Sequence, residues 1–127
     1  MSRGQKTRCN NTWTEARYFG FIRSALRRAF TRYPIGHVVK NTARRPYTGP
    51  NKRQKYEYQC DLCREWYSGK ETQVDHIEPC GTLRTFADLA GFVERLFCEP
   101  DGLRVLCIDC HKQVTAEQKQ ETKERAH

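Results

Sequence analysis

Apolar positions recur at helical spacing in two stretches of the chain and at strand spacing in four short ones. Tyr18, Ile22, Ala25, Leu26 and Ala29 lie on one helical face, and Thr12 with Glu15 three residues on reads as a capping box, which predicts a helix over about 13–31. Pro34 and Gly36 end it, and 40–55, with Pro46, Gly49 and Pro50, has the composition of an irregular connector. Tyr56–Gln59 and Trp66–Tyr67 read as short strands, as do Val74–Ile77 and Leu103–Leu106. Between the last two, Phe86, Leu89, Ala90, Val93, Leu96 and Phe97 form a second apolar stripe behind Thr85, an N-cap with Asp88 in the partner position. From Ile108 to about Glu124 a polar, breaker-free stretch predicts a third helix. Short strands interleaved with helices make this an α+β chain.

Composition makes the core small. With 127 residues, 37% of them apolar, and a mean hydropathy of −0.89, burial alone stabilises one domain thinly, and a metal or disulfides commonly supplement it at this size. The absence of a long apolar run and the polar, basic first ten residues argue against a membrane span and a secretory signal, so a reducing cytosol is expected. There, seven cysteines are metal ligands and free thiols rather than a disulfide framework.

Charge divides the chain. Residues 1–55 hold 14 Lys or Arg and one acid, Glu15, whereas the remainder holds nine bases and 14 acids. The front part, 1–55, therefore reads as a basic helical arm and connector for a polyanion, and 56–127 as the compact domain. Arg27 and Arg28 on the helix, and Arg44, Arg45, Lys52, Arg53 and Lys55 on the connector, are the candidate phosphate contacts. The plainer alternative is a solvated arm that only confers solubility.

Two Cys-x-x-Cys pairs, Cys60/Cys63 and Cys107/Cys110, are the strongest chemical signal. Two such knuckles complete a tetrahedral zinc site. The 43 residues between them exceed a plain zinc ribbon, so the intervening chain must hold a substructure. A redox dithiol is the competing use of Cys-x-x-Cys. Cys107-Ile-Asp-Cys110-His111 also matches a haem attachment pattern, but that leaves Cys60 and Cys63 unexplained and only Met1 as a methionine ligand.

Within that substructure stands Val74-Asp75-His76-Ile77. If both cysteine pairs meet on zinc, the Asp75–His76 strand and the helix starting near His111 are drawn together. A carboxylate and an imidazole then share a divalent ion, Mg²⁺ or Mn²⁺, and a second imidazole is left to take a proton from water. Successive strand residues point to opposite faces, so Asp75 and His76 serve one site only where the strand ends or bends, and Pro79 and Gly81 suit a strand end.

At these residues the chain resembles the HNH endonuclease family, whose fold is the ββα-metal finger, from about Tyr56 to Gln118. The motifs are Val74-Asp-His-Ile77 and Leu106-Cys-x-x-Cys-His111 with the extra cysteine pair of the zinc-bearing branch, and the passages 92–98 and 103–111 are similar to small free-standing HNH proteins of bacteriophages. The resemblance implies His76 as general base, Asp75 and His111 as ligands of the catalytic ion, Cys60, Cys63, Cys107 and Cys110 as zinc ligands, and nicking or double-strand cleavage of DNA. The chain departs at Asp101-Gly102-Leu103, where the family usually carries an asparagine that braces the loop before the second strand. Here that bracing is either absent or supplied by backbone. The alternative from another class is a non-catalytic zinc-finger nucleic-acid binder, which shares the cysteines and the charge and differs at Asp75, His76 and His111. Cys9, Cys80 and Cys98 read as free thiols or core residues, Trp13, Trp66 and Tyr67 as packing residues, and Arg104 is not assigned to the site.

Overall fold

The chain starts with a hairpin that the apolar pattern does not announce. The computed structural model describes residues 4–125, with side chains as far as Glu121, so Met1 and Arg3 lie outside it. Strand β1 (Lys6–Arg8) pairs with β2 (Trp13–Thr14) around a loop in which Cys9, Asn10 and Asn11 take left-handed backbone, φ 53°, 55° and 61°. Asparagine tolerates that region better than most residues. Thr12 closes this loop, its hydroxyl donating to the Cys9 carbonyl at 2.6 Å. The cap therefore passes to Thr14, whose hydroxyl accepts from the Arg17 N–H at 3.2 Å and opens α1 (Glu15–Phe30). Glu15 is drawn to Arg8 Nε at 2.8 Å, which replaces the expected Thr12–Glu15 capping box.

The basic helix is one wall of the core. Phe19 is buried against Cys80, Leu83, Phe92 and Leu96, with Tyr18, Ile22, Leu26 and Phe30 packed beside it, while Arg27 and Arg28 lie exposed in its last turn. The expected connector is more ordered than its composition suggests. Pro34 starts a helix, α2 (Pro34–Thr42), because a missing N–H costs nothing in a first turn. Strand β3 (Arg44–Pro46) then pairs antiparallel with β4 (Tyr56–Gln59), so the chain crosses residue 55 inside one sheet and only 47–55 are irregular. β5 (Trp66–Tyr67) completes that sheet on the far side of β4.

The second half builds a strand pair and a helix. β6 (Thr72–His76) runs antiparallel to β7 (Leu103–Cys107) with Asp75 opposite Arg104 and His76 opposite Leu103, and α4 (Ile108–Arg125) follows β7 without a linker. Between the strands, Thr85 and Asp88 form the expected capping box, but the first turn, Phe86–Asp88, winds as a 3₁₀ turn, so α3 spans Leu89–Leu96. The backbone N–H groups of Arg84 and Thr85 hold the Asp88 carboxyl below its ordinary range. A second buried cluster, Cys60, Leu106 and Cys107, with Tyr67, Cys110 and Val114 against it, lies under the β4–β5 turn. No helix among the described residues is long and apolar enough to cross a membrane.

Candidate functional site

The four cysteines of the two pairs converge. At the end of β4 the chain turns through Cys60–Cys63 and closes with Arg64 at φ 64°, its N–H donating to the Cys60 carbonyl at 3.0 Å. The Asp61 N–H donates to the Val105 carbonyl at 2.8 Å and pins this knuckle to β7, which ends at Cys107. Cys110 follows within the first turn of α4. All four sulfur atoms lie within 4.8 Å of one another, and Cys63 Sγ stands 4.0 Å from Cys107 Sγ. Thiolates around a tetrahedral zinc at about 2.3 Å are about 3.8 Å apart, so the set fits that ion.

Hydrogen bonds divide the protons of this cluster. Burial pushes the Cys60 thiol up, but backbone N–H groups of Cys107, Cys63 and Leu62 outweigh it and bring the thiol down to about 6. A hydrogen bond with Cys107, burial and the neighbouring Cys60 push Cys110 up to about 12. The Tyr67 hydroxyl, 3.3 Å from Cys63 Sγ, is raised by its bonds to Cys63 and Cys107. The other cysteines stand apart, with Cys9 exposed, Cys80 in the α1–α3 core and Cys98 half-buried.

The Asp75 carboxylate and the His111 imidazole meet at the start of α4, and His76 lines the same cleft from the other face of β6. β6 keeps its pairing through His76, so the alternation of a strand holds: Asp75 faces Arg104 and α4, while His76 turns towards α1 and α3. Asp75 Oδ2 accepts from Arg104 Nε at 3.1 Å, and Oδ1 stands 3.7 Å from His111 Nε2. That separation is within what one ion bonded to each at about 2.1 Å can bridge. The His76 ring lies 4.7 Å from that of Phe30, and its Nε2 is 2.8 Å from the Leu96 carbonyl. A carbonyl only accepts, so Nε2 carries the hydrogen and Nδ1 of the neutral ring keeps a lone pair. The strand ends at His76, and Asp75, His76 and His111 all line one open cleft of about 570 Å³.

Gly102, in the departing loop, is held by backbone: its carbonyl accepts from the Ile77 N–H at 3.0 Å and its N–H donates to Glu99 O at 2.9 Å. A Cβ there would stand 2.8 Å from Cys98 Sγ, so glycine is what the packing admits.

The basic candidates are distributed unevenly. Arg27 lines the cleft with Lys119 of α4, its guanidinium 5.6 Å over the Phe92 ring, and no carboxylate pairs with it among the described residues. Arg44 and Arg45 lie on the β3–β5 sheet instead, 4.0 Å over Tyr56 and 3.7 Å over Trp66, and Arg45 also donates to Glu57 at 2.6 Å. Arg53 and Lys55 line a different cavity with Tyr58 and Lys70, and Lys52 is exposed in the turn before them. Trp13 packs on Phe21, ring centres 5.3 Å apart, under the guanidinium of Arg17.

Comparison with family models, curated proteins and solved structures finds no match to this chain. Sequence reasoning left out two groups around the site: Arg104, which bonds Asp75 from the neighbouring groove, and the Leu96 carbonyl, which lines the cleft. Arg104 is tied to Asp75 by strand register, for which an isolated arginine between buried Leu103 and Val105 is the only signal. The Leu96 carbonyl has no sequence signal, because the angle at which α3 ends decides where it points.

Proposed function

We propose that the chain is a metal-dependent endonuclease of the HNH type, with β6, β7 and α4 as its ββα-metal finger, that hydrolyses phosphodiester bonds in DNA. The observation that carries this reading is the meeting of Asp75 Oδ1 and His111 Nε2 at 3.7 Å, with His76 in the same cleft. Asp75 and His111 hold a divalent ion, Mg²⁺ or Mn²⁺, and that ion, when bound, offsets charge on the phosphate and on the leaving oxygen. His76 takes a proton from the attacking water at Nδ1 as the water oxygen bonds to phosphorus and the bridging P–O bond breaks. The Leu96 carbonyl, already bonded to Nε2–H, holds the ring at one angle and stabilises the imidazolium that forms. Arg27 and Lys119 face the cleft as positive charges for the phosphate. Zinc on Cys60, Cys63, Cys107 and Cys110 is structural, fixing the start of α4 against the β4–β5 turn.

The test is conversion of supercoiled plasmid to nicked and linear forms by zinc-loaded protein with Mg²⁺ or Mn²⁺. Wild type is expected to convert it, and His76→Ala to do so slower by a factor of at least about 100 with unchanged zinc content. Binding of the plasmid without conversion by either protein would replace this reading with the zinc-finger binder.

A further inference from the structure

We infer that Arg104 is a built-in counter-ion of the Asp75–His111 pair, so that the chain binds its divalent ion weakly alone and tightly only together with a DNA phosphate. This rests on the reading of Asp75 and His111 as ion ligands. Arg104 stands directly opposite Asp75 in the β6–β7 register, so backbone pairing, rather than a chance rotamer, brings the two together. Their side chains are only 18% and 12% exposed, and Arg104 Nε meets Asp75 Oδ2 at 3.1 Å. Water screens such a pair poorly, and a guanidinium keeps its charge at any working pH.

At the pair itself the charges then cancel; four thiolates on one zinc would leave a net 2− on the neighbouring cysteine cluster, the same in every Arg104 variant. One carboxylate faces one guanidinium, and an imidazole that binds a metal is neutral. Among the described residues no third Asp, Glu, His or Cys joins this pair, since the four cysteines are the one group of three or more such ligands within reach of one another. Arg27 and Lys119 add positive charge to the same cleft. Glu117 and Glu121 line a neighbouring groove with Arg104, but both are exposed, where solvent screens them. A cleft of this balance disfavours a free divalent cation and favours a phosphate, whose oxygen supplies both the missing negative charge and a further ligand atom. Linkage makes the effect mutual: the phosphate strengthens ion binding by the factor by which the ion strengthens phosphate binding.

Mn²⁺ binding to zinc-loaded protein, read as loss of the free-ion signal in electron paramagnetic resonance, tests this with and without a duplex oligonucleotide. His76→Ala is the parent so that the duplex stays intact, and Asp75→Asn identifies the signal as this site. The duplex is expected to tighten Mn²⁺ binding at least about tenfold in the parent. In the absence of DNA, R104Q, which retains an N–H donor for Asp75, and R104M are expected to bind Mn²⁺ at least about fivefold tighter than the parent, whereas R104K, which retains the charge, stays within about twofold of it. Equal or weaker affinity in both R104Q and R104M overturns the inference, as does a parent indifferent to the duplex. The proposed nuclease activity survives that result if wild type still cuts plasmid. Mn²⁺ binding unchanged by Asp75→Asn removes the ion from Asp75, and this inference falls with that reading.

Discussion

The least expected chemistry at the residue scale is the opposite displacement of two thiols in one cluster, Cys60 and Cys110. Cys60, brought down to about 6, is a thiolate at neutral pH, whereas Cys110, pushed up to about 12, keeps its proton until a metal displaces it. The sign follows: zinc must expel the Cys110 proton at any pH below about 12, so affinity rises as pH rises across the working range, while Cys60 adds to that slope only near and below about 6. Each proton released changes affinity by about tenfold per pH unit, and competition with a chelator between pH 6.5 and 8 reads the slope. A flat profile would mean that Cys110 is not a ligand. His76 shows the same logic of environment, since the Leu96 carbonyl, a pure acceptor, places the hydrogen on Nε2.

The loop before β7 shows how an element is decided by contacts distant in sequence. Gly102 packs on Cys98, where a Cβ would approach Sγ to 2.8 Å, and Gly102→Ala should cost about 1–3 kcal/mol by overpacking. Adding Cys98→Ala removes the obstructing sulfur, so the double variant should melt higher than Gly102→Ala alone; melting at the same temperature would place the strain elsewhere. This locality separates what the sequence made legible from what it hid. The β4 and β5 strands, the Thr85 cap and the convergence of Cys60, Cys63, Cys107 and Cys110 follow from spacing and side-chain type, which act over a few residues. The hairpin at Lys6–Thr14 was hidden because its loop rests on two asparagines in left-handed backbone rather than on glycine. The first helix ends ahead of Pro34 as expected, but the same proline also starts α2, since proline suits a first helical turn as well as an end. The Asp75–Arg104 pair depends on how strands 26 residues apart align, which no local pattern carries.

Across the whole molecule, two cores are held by different means. The α1–α3 core is ordinary apolar packing around Phe19 and Phe92, whereas the other is built on Cys60 and Cys107 themselves. Cys60→Ser should therefore release zinc and melt the β4–β7–α4 half, because structural zinc supplies much of a small domain's folding free energy; an unchanged melting temperature would remove the metal from that core. Charge divides along another line. Arg27 reaches the cleft, while Arg44, Arg45, Lys52 and Arg53 belong to the β3–β4 hairpin and the turn that joins its strands. If the chain is the proposed nuclease, grip on DNA and chemistry on DNA should then separate. Replacing the four hairpin residues by Gln should weaken binding at every sequence and flatten its salt dependence, by about three phosphate contacts rather than four because Arg45 is already bonded to Glu57 at 2.6 Å, with cleavage of saturated complex little changed. Arg27→Gln should do the reverse, cutting the rate at saturating DNA by about tenfold or more while barely moving the salt slope. Salt titrations of binding and single-turnover cleavage of the same duplex read both effects. A hairpin variant with normal binding and slow cleavage would place the sheet, not α1, against the scissile phosphate.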